Sequence, residues 1–115
     1  MFEGACHCGA VRFTIPAAPE TVTDCNCSIC RRLGVLWAYH SPAQVTLTGE
    51  TDTYQWGDRA IFFHRCKVCG VTTHWSPTDP KLDRMAVNAR LLPLEILERL
   101  RIRRLDGARP EKYLD

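Results

Sequence analysis

The chain has 115 residues, 45% of them hydrophobic and 24% charged, with a formal net charge of +2. That length suits one domain burying roughly two thirds of the surface its unfolded form exposes, and the composition excludes low-complexity and fibrous classes. No run of eighteen apolar residues occurs, and Met1-Phe2-Glu3-Gly4 has neither a basic start nor an apolar run. The expectation is therefore a single domain over residues 1–115, cytoplasmic and without a membrane partner.

In chain order, Val11, Phe13 and Ile15 alternate with Arg12 and Thr14, the period-two pattern of a half-buried strand. Pro16 and Pro19 end it, and Thr21-Val22-Thr23 resumes an extended chain that runs into Cys25-Asn26-Cys27. If Cys25 and Cys27 continue this strand, their side chains share a face, and a turn brings Cys30 round. Arg31-Arg32-Leu33-Gly34 reads as a basic segment. Further strands are expected at 35–39, 45–48, 54–56, 60–64, 71–75 and 85–89, with turn signals at Ser41-Pro42, Gly49-Glu50, Gly57-Asp58, Pro77 and Pro80.

A single helix is predicted. Pro93 at a first-turn position, Glu95 after it, and Leu94, Leu97 and Leu100 at threefold spacing suggest two turns. Arg101 to Leu105 then returns to strand alternation, and Asp106-Gly107 turns the chain. The predicted fold class is mainly β, with one short C-terminal helix and hairpins that carry cysteines at their ends.

Seven cysteines in a reducing compartment point to metal binding or catalysis rather than to disulfides, and an odd number leaves one thiol over in any full pairing. They fall into Cys6-His7-Cys8-Gly9, Cys25-Asn26-Cys27-Ser28-Ile29-Cys30 and Cys66-Lys67-Val68-Cys69-Gly70. A stable zinc site has four ligands, so the two outer pairs together offer a full set, and the central three leave one position for something else. Gly9 and Gly70 follow a cysteine where a tight turn through positive φ would aim backbone N–H groups at sulfur; Arg31 follows Cys30, so the central cluster lacks that feature. The plainer readings are a redox pair for Cys66 and Cys69, which no βαβ pattern supports, and free buried thiols for Cys25, Cys27 and Cys30, which seldom cluster. Two zinc ions and seven thiolates would more than cancel the formal positive charge, so that charge is no argument for a nucleic-acid partner.

With Gly4-Ala5-Cys6-His7-Cys8-Gly9-Ala10-Val11, the central Cys25 to Arg31 run and Phe63-His64-Arg65-Cys66-Lys67-Val68-Cys69-Gly70, the chain resembles the glutathione-dependent formaldehyde-activating enzyme family, which also includes centromere protein V. The resemblance implies an Mss4-like zinc-bearing β fold with two Zn2+ per chain. It also implies the partition: Cys6, Cys8, Cys66 and Cys69 would hold a structural ion, and Cys25, Cys27 and Cys30 a catalytic one. The implied activity is that of a carbon-sulfur lyase adding glutathione to formaldehyde, with a small thiol and a small aldehyde as partners. An open three-cysteine zinc can hold a thiol as thiolate or polarise a carbonyl; three thiolates weaken its Lewis acidity, which favours thiol capture.

Other residues carry less. His7 and His64 are candidates to donate to sulfur, with a packing or surface role the plainer reading, while His40 and His74 have no local partner. Arg31 and Arg32 could meet glutathione carboxylates or simply form a solvated surface, and Trp37, Trp56 and Trp75 read as core rather than as a substrate platform because each falls in a strand pattern. Arg99, Arg101, Arg103, Arg104, Arg109 and Lys112 make the C-terminal part basic, which keeps open a non-catalytic zinc module that binds protein or nucleic acid. A fourth protein ligand at the central cysteines would favour that module. Elemental analysis is expected to find two zinc ions per chain, the three-cysteine ion leaving first under mild chelation; a single ion, or iron, would overturn the partition.

Overall fold

A computed structural model describes residues 1–114. Each strand carries at least one β-branched or aromatic residue: β1 (Phe2–Ala5), β2 (Arg12–Ile15), β3 (Thr21–Cys25), β4 (Trp37–His40), β5 (Thr46–Thr48), β6 (Thr51–Tyr54), β7 (Ile61–Cys66), β8 (Thr72–Pro77), β9 (Met85–Asn88) and β10 (Arg101–Leu105). Two short helices, α1 (Ser28–Leu33) and α2 (Leu94–Leu97), and single 3-10 turns at Pro42–Gln44 and Ala89–Leu91 complete the described elements. The mainly β architecture expected from the sequence is the one observed. Among the described residues no helix is long and apolar enough to cross a membrane.

A small sheet of order β1-β2-β5 packs on a seven-stranded sheet of order β10-β3-β4-β9-β8-β7-β6. Phe13 and Ile15 from the small sheet join Val22, Leu36, Ala38, Met85 and Val87 in one buried cluster. Neighbours along a strand face opposite ways, so Tyr39 and Ala86 lie on the other side from Ala38 and Val87. That other side carries the cross-strand row Tyr39, Ala86, Trp75, Phe63 and Tyr54, each paired with the next. One face of the large sheet is thus spent on the core, and the second is free to build a cavity.

All the pairings are antiparallel except that of β10 with β3, which is parallel and sets Leu105 beside Cys25. This brings the Asp106-Gly107 turn to the central cysteines. On the rung His64–His74 the two imidazoles stack with centroids 4.0 Å apart. His64 shares hydrogen bonds with the Thr51 and Ser76 hydroxyls, and His74 with that of Thr73. Burial, and then the neighbouring His64 ring, hold His74 down at about 3, so it is neutral at neutral pH. His74 therefore does have a local partner, the adjacent Thr73 hydroxyl, against the expectation of none, and also stacks on His64, whose ring nitrogens are taken up by Thr51 and Ser76.

The sequence reading departs from the fold in definable places. Cys27 does not continue β3 but caps α1, a helix within the stretch read as a turn and basic segment. Six residues ended by Gly34 at φ +68° are too few for a helical apolar period to show. The C-terminal helix is one turn, with Pro93 as its cap, because beyond Leu97 the hydrogen bonds tighten into shorter turns, Arg99 to Ile96 and Leu100 to Leu97. Ile96, Leu97 and Leu100 still pack on the core. Strand β6 lies at Thr51–Tyr54 rather than 54–56, which leaves Trp56 outside it.

The turn between β5 and β6 rests on other turns. Gly49 has φ +100°, and a β-carbon there would collide with the Ala10 carbonyl oxygen; Glu50 accepts a hydrogen bond from the Lys67 amide at 3.4 Å. Gly49→Ala is expected to cost about 1–3 kcal/mol, read as a lower thermal midpoint. An unchanged midpoint would show that this turn is not pinned to Ala10.

Candidate metal centres and the adjoining cavity

Two turns of the same design face each other. In the first, the Cys6 amide donates to the Val11 carbonyl, the Gly9 amide donates to the Cys6 carbonyl, and the Val11 amide donates to Cys6 Sγ at 3.3 Å. In the second, the Cys66 amide donates to Val71, the Gly70 amide to the Cys66 carbonyl, and the Val68 amide to Cys66 Sγ at 3.3 Å. Gly9 at φ +82° and Gly70 at φ +78° make both turns possible. The Sγ of Cys8 lies 3.6 Å from that of Cys6 and 3.7 Å from that of Cys66. Sulfurs at about 2.3 Å around a tetrahedral zinc would be about 3.8 Å apart, so the donor set fits the ion.

The protonation pattern agrees. The Cys8 and Val71 amides hold the Cys69 thiol down at about 6. The Ala10 amide pulls Cys8 down, but burial and the neighbouring sulfurs push it up further, to about 11. Four thiolates this close cannot all ionise without a cation among them. The four sulfurs, Cys6, Cys8, Cys66 and Cys69, lie within 4.8 Å of one another and can hold a metal ion.

The Sγ atoms of Cys25, Cys27 and Cys30 form a second such group. Cys25 ends β3, Cys27 is the N-cap of α1, and Cys30 lies in the first helical turn, its amide donating to Cys27 Sγ at 3.4 Å. Cys27 thus does for this helix what a serine or aspartate cap would do. Burial raises the Cys27 thiol, but the Cys30 amide and the flanking thiols outweigh it and leave it lowered; burial raises Cys25 and Cys30. The indole N–H of Trp37 donates to Cys30 Sγ at 3.3 Å. No fourth histidine, cysteine or carboxylate joins these three among the described residues.

The loop bearing these cysteines is held from a distance. Asn26 donates from its amide N–H to Leu105 and from its side chain to Asp106 Oδ1 at 3.0 Å, and accepts from the Ala108 amide at 3.0 Å. The Asn26 donor, and then Arg109, keep the Asp106 carboxyl below its usual range. Gly107 lies so close that a β-carbon there would be 2.5 Å from Cys25 Sγ.

Beside the three sulfurs opens a cavity of about 620 Å³. Trp37, Tyr39, Phe63 and Trp75 form its apolar wall, with Trp56, Asp58, Arg84 and Glu111 also lining it. Ala86, fully buried between Tyr39 and Trp75 in the strand row, leaves room for those rings to meet edge to face at 6.4 Å.

Residues 1–98 match the family model described as glutathione-dependent formaldehyde-activating enzyme. The chain belongs to this family. A Halomonas elongata protein named "Putative glutathione-dependent formaldehyde-activating enzyme" is 41% identical over 54 residues, 46% of this chain. The match spans 32% of that relative's length. A crystal structure of a Rhodobacter sphaeroides protein shares the fold with a TM-score of 0.70 and 28% identity, covering 87% of this chain and 98% of that one.

Within this member of the formaldehyde-activating family, all seven sequence-predicted cysteines come together in a group of four and a group of three. Trp37 and Trp75 are buried as expected, yet both also line the cavity; Trp56 is 45% exposed, because it falls beyond β6. Arg31 and Arg32 are exposed on α1 and do not line the cavity, Arg32 donating instead to the Ser28 carbonyl at 2.8 Å. Sequence reasoning missed Asn26, Asp106, Gly107 and Arg84. The Asp106-Gly107 pair was legible only as a turn. Gly107→Ala is expected to leave the fold intact and to weaken metal binding at the three-cysteine group about 10- to 100-fold, measured by competition with a chelator. Unchanged affinity would show that the loop can move aside.

Proposed function

We propose that this protein is a zinc-dependent enzyme of the carbon-sulfur lyase type, adding a thiol such as glutathione to formaldehyde or a related small aldehyde. In this reading residues 1–115 form one domain, Cys6, Cys8, Cys66 and Cys69 hold a structural zinc, and Cys25, Cys27 and Cys30 hold the catalytic one. The observation that carries it is that the three-sulfur group, with no fourth protein donor among the described residues, lines a cavity large enough for a peptide-sized ligand. A module that only binds protein or nucleic acid needs no such cavity.

When bound at Cys25, Cys27 and Cys30, zinc supplies a Lewis-acid centre at which a thiol is a thiolate near neutral pH. The chain's own residues do the rest. The Trp37 indole N–H and the Cys30 amide draw charge from the donor sulfurs, and Trp37, Phe63 and Trp75 keep water from the wall against which the aldehyde sits. Burial raises the Tyr39 phenol to about 12, so its hydroxyl stays protonated and can donate toward oxygen. In the addition the substrate sulfur bonds to the carbonyl carbon, the C=O π bond opens, and the oxygen takes up the proton that the thiol released. Nothing is oxidised or reduced.

Exchange spectroscopy at equilibrium tests this, with the fast uncatalysed addition subtracted. Glutathione should perturb the visible spectrum of cobalt-substituted protein, S-methylglutathione should not, and the wild type should exceed Cys27→Ser in exchange rate at equal concentration. If no small thiol perturbs the metal and the two rates match, the enzyme reading fails in favour of a binding module.

A further inference from the structure

The ionisable side chains lining the cavity, apart from the cysteines and Tyr39, are Asp58, Arg84 and Glu111. Arg84 is the one cation among them. Its guanidinium carbon sits 4.2 Å from the centroid of the Tyr39 ring. Tyr39 is itself packed against Trp75, so the platform under Arg84 is part of the cavity wall. A guanidinium laid on a ring keeps its plane fixed while its N–H edge stays available for a carboxylate. Arg84 makes no ion pair or hydrogen bond among the described residues, although two carboxylates line the same cavity.

We propose that Arg84 selects the substrate, by a two-point contact between its guanidinium and a carboxylate carried by the thiol. The inference rests on reading the cavity as the thiol site. The mixed charge of the lining sharpens it. Asp58 and Glu111 outnumber Arg84, so the cavity does not collect anions through its overall field. Selection of a carboxylate has to be local, through the planar fork of one arginine, and a lysine would supply the charge without that geometry. The substrate class is then a carboxylate-bearing thiol such as a cysteinyl peptide, and simple alkyl thiols are poor ligands. Arg31 and Arg32, nearer in sequence to the cysteines, have no part in it, because neither lines the cavity.

All three tryptophans of the chain line this cavity, so their fluorescence reports on its occupancy. The zinc-loaded protein is titrated with S-methylglutathione, which keeps both carboxylates and lacks the thiol, and with its diethyl ester. Wild type should bind the acid roughly 10- to 100-fold more tightly than the ester. Arg84→Gln should bind the two alike, and Arg84→Lys should restore only part of the preference. Arg84 is exposed, so metal content and thermal midpoint should be those of wild type in both variants. In turnover, Arg84→Gln should raise KM for glutathione with kcat nearly held. Equal binding of acid and ester by wild type, no binding of either, or a preference retained in Arg84→Gln, overturns the proposal. The two readings fail separately: acid selectivity lost in Arg84→Gln without turnover of any thiol supports the Arg84 contact and sinks the enzyme reading, and turnover without Arg84 dependence does the reverse.

Discussion

Thiolates repel one another, and this chain gathers seven thiols into two groups. The sulfurs of Cys8 and Cys66, 58 residues apart in sequence, lie 3.7 Å from each other. Such an approach is tolerable when amide N–H groups point at the sulfurs and a cation shares the charge, and unfavourable otherwise. Much of the fold answers to that condition. Two glycine turns aim amides at Cys6 and Cys66, the first turn of α1 aims one at Cys27, and Trp37 turns its indole N–H onto Cys30. The β1–β2 and β7–β8 turns are thereby drawn together across the molecule, which places the small sheet against the large one.

The two faces of the large sheet divide the labour. Phe13, Ile15, Val22 and Val87 are almost completely buried on the side covered by the small sheet. On the opposite side, large rings flank a small residue: Tyr39 and Trp75 with Ala86 between them. Side chains of equal size in that row would give a flat, filled surface. The alternation leaves a hollow instead, and the rings of Trp37, Tyr39, Phe63 and Trp75 that wall it are each anchored in a strand.

Local features of this architecture were legible in the sequence and non-local ones were not. Strands such as Arg12–Ile15 show themselves by period-two alternation, and the cysteine turns by a glycine after the second sulfur. Helix α1 did not, because its six residues are fixed by a cysteine cap and a left-handed Gly34 rather than by any apolar stripe. Trp56 misled because aromatic residues favour strands in general, whereas here the strand ends two residues earlier and the ring goes to the cavity. Asn26 is invisible as a structural residue until Asp106 and Ala108 are placed beside it, and only the parallel pairing of β10 with β3 does that.

That pairing has a consequence for the order in which the molecule is made. The four-cysteine group is complete in the chain once Cys69 has been synthesised, and its turns need no residue beyond Val71. The central cysteines, although earlier in sequence, rest on Leu105, Asp106 and Ala108, partners some eighty residues later than Asn26. A nascent chain emerging from the ribosome can therefore close its first cluster while the second still lacks a side. Until β10 pairs with β3, the strand that ends at Cys25 lacks that neighbour and the Asn26 loop lacks its three partners. Strand β10 supplies that side and serves as the seal of the centre.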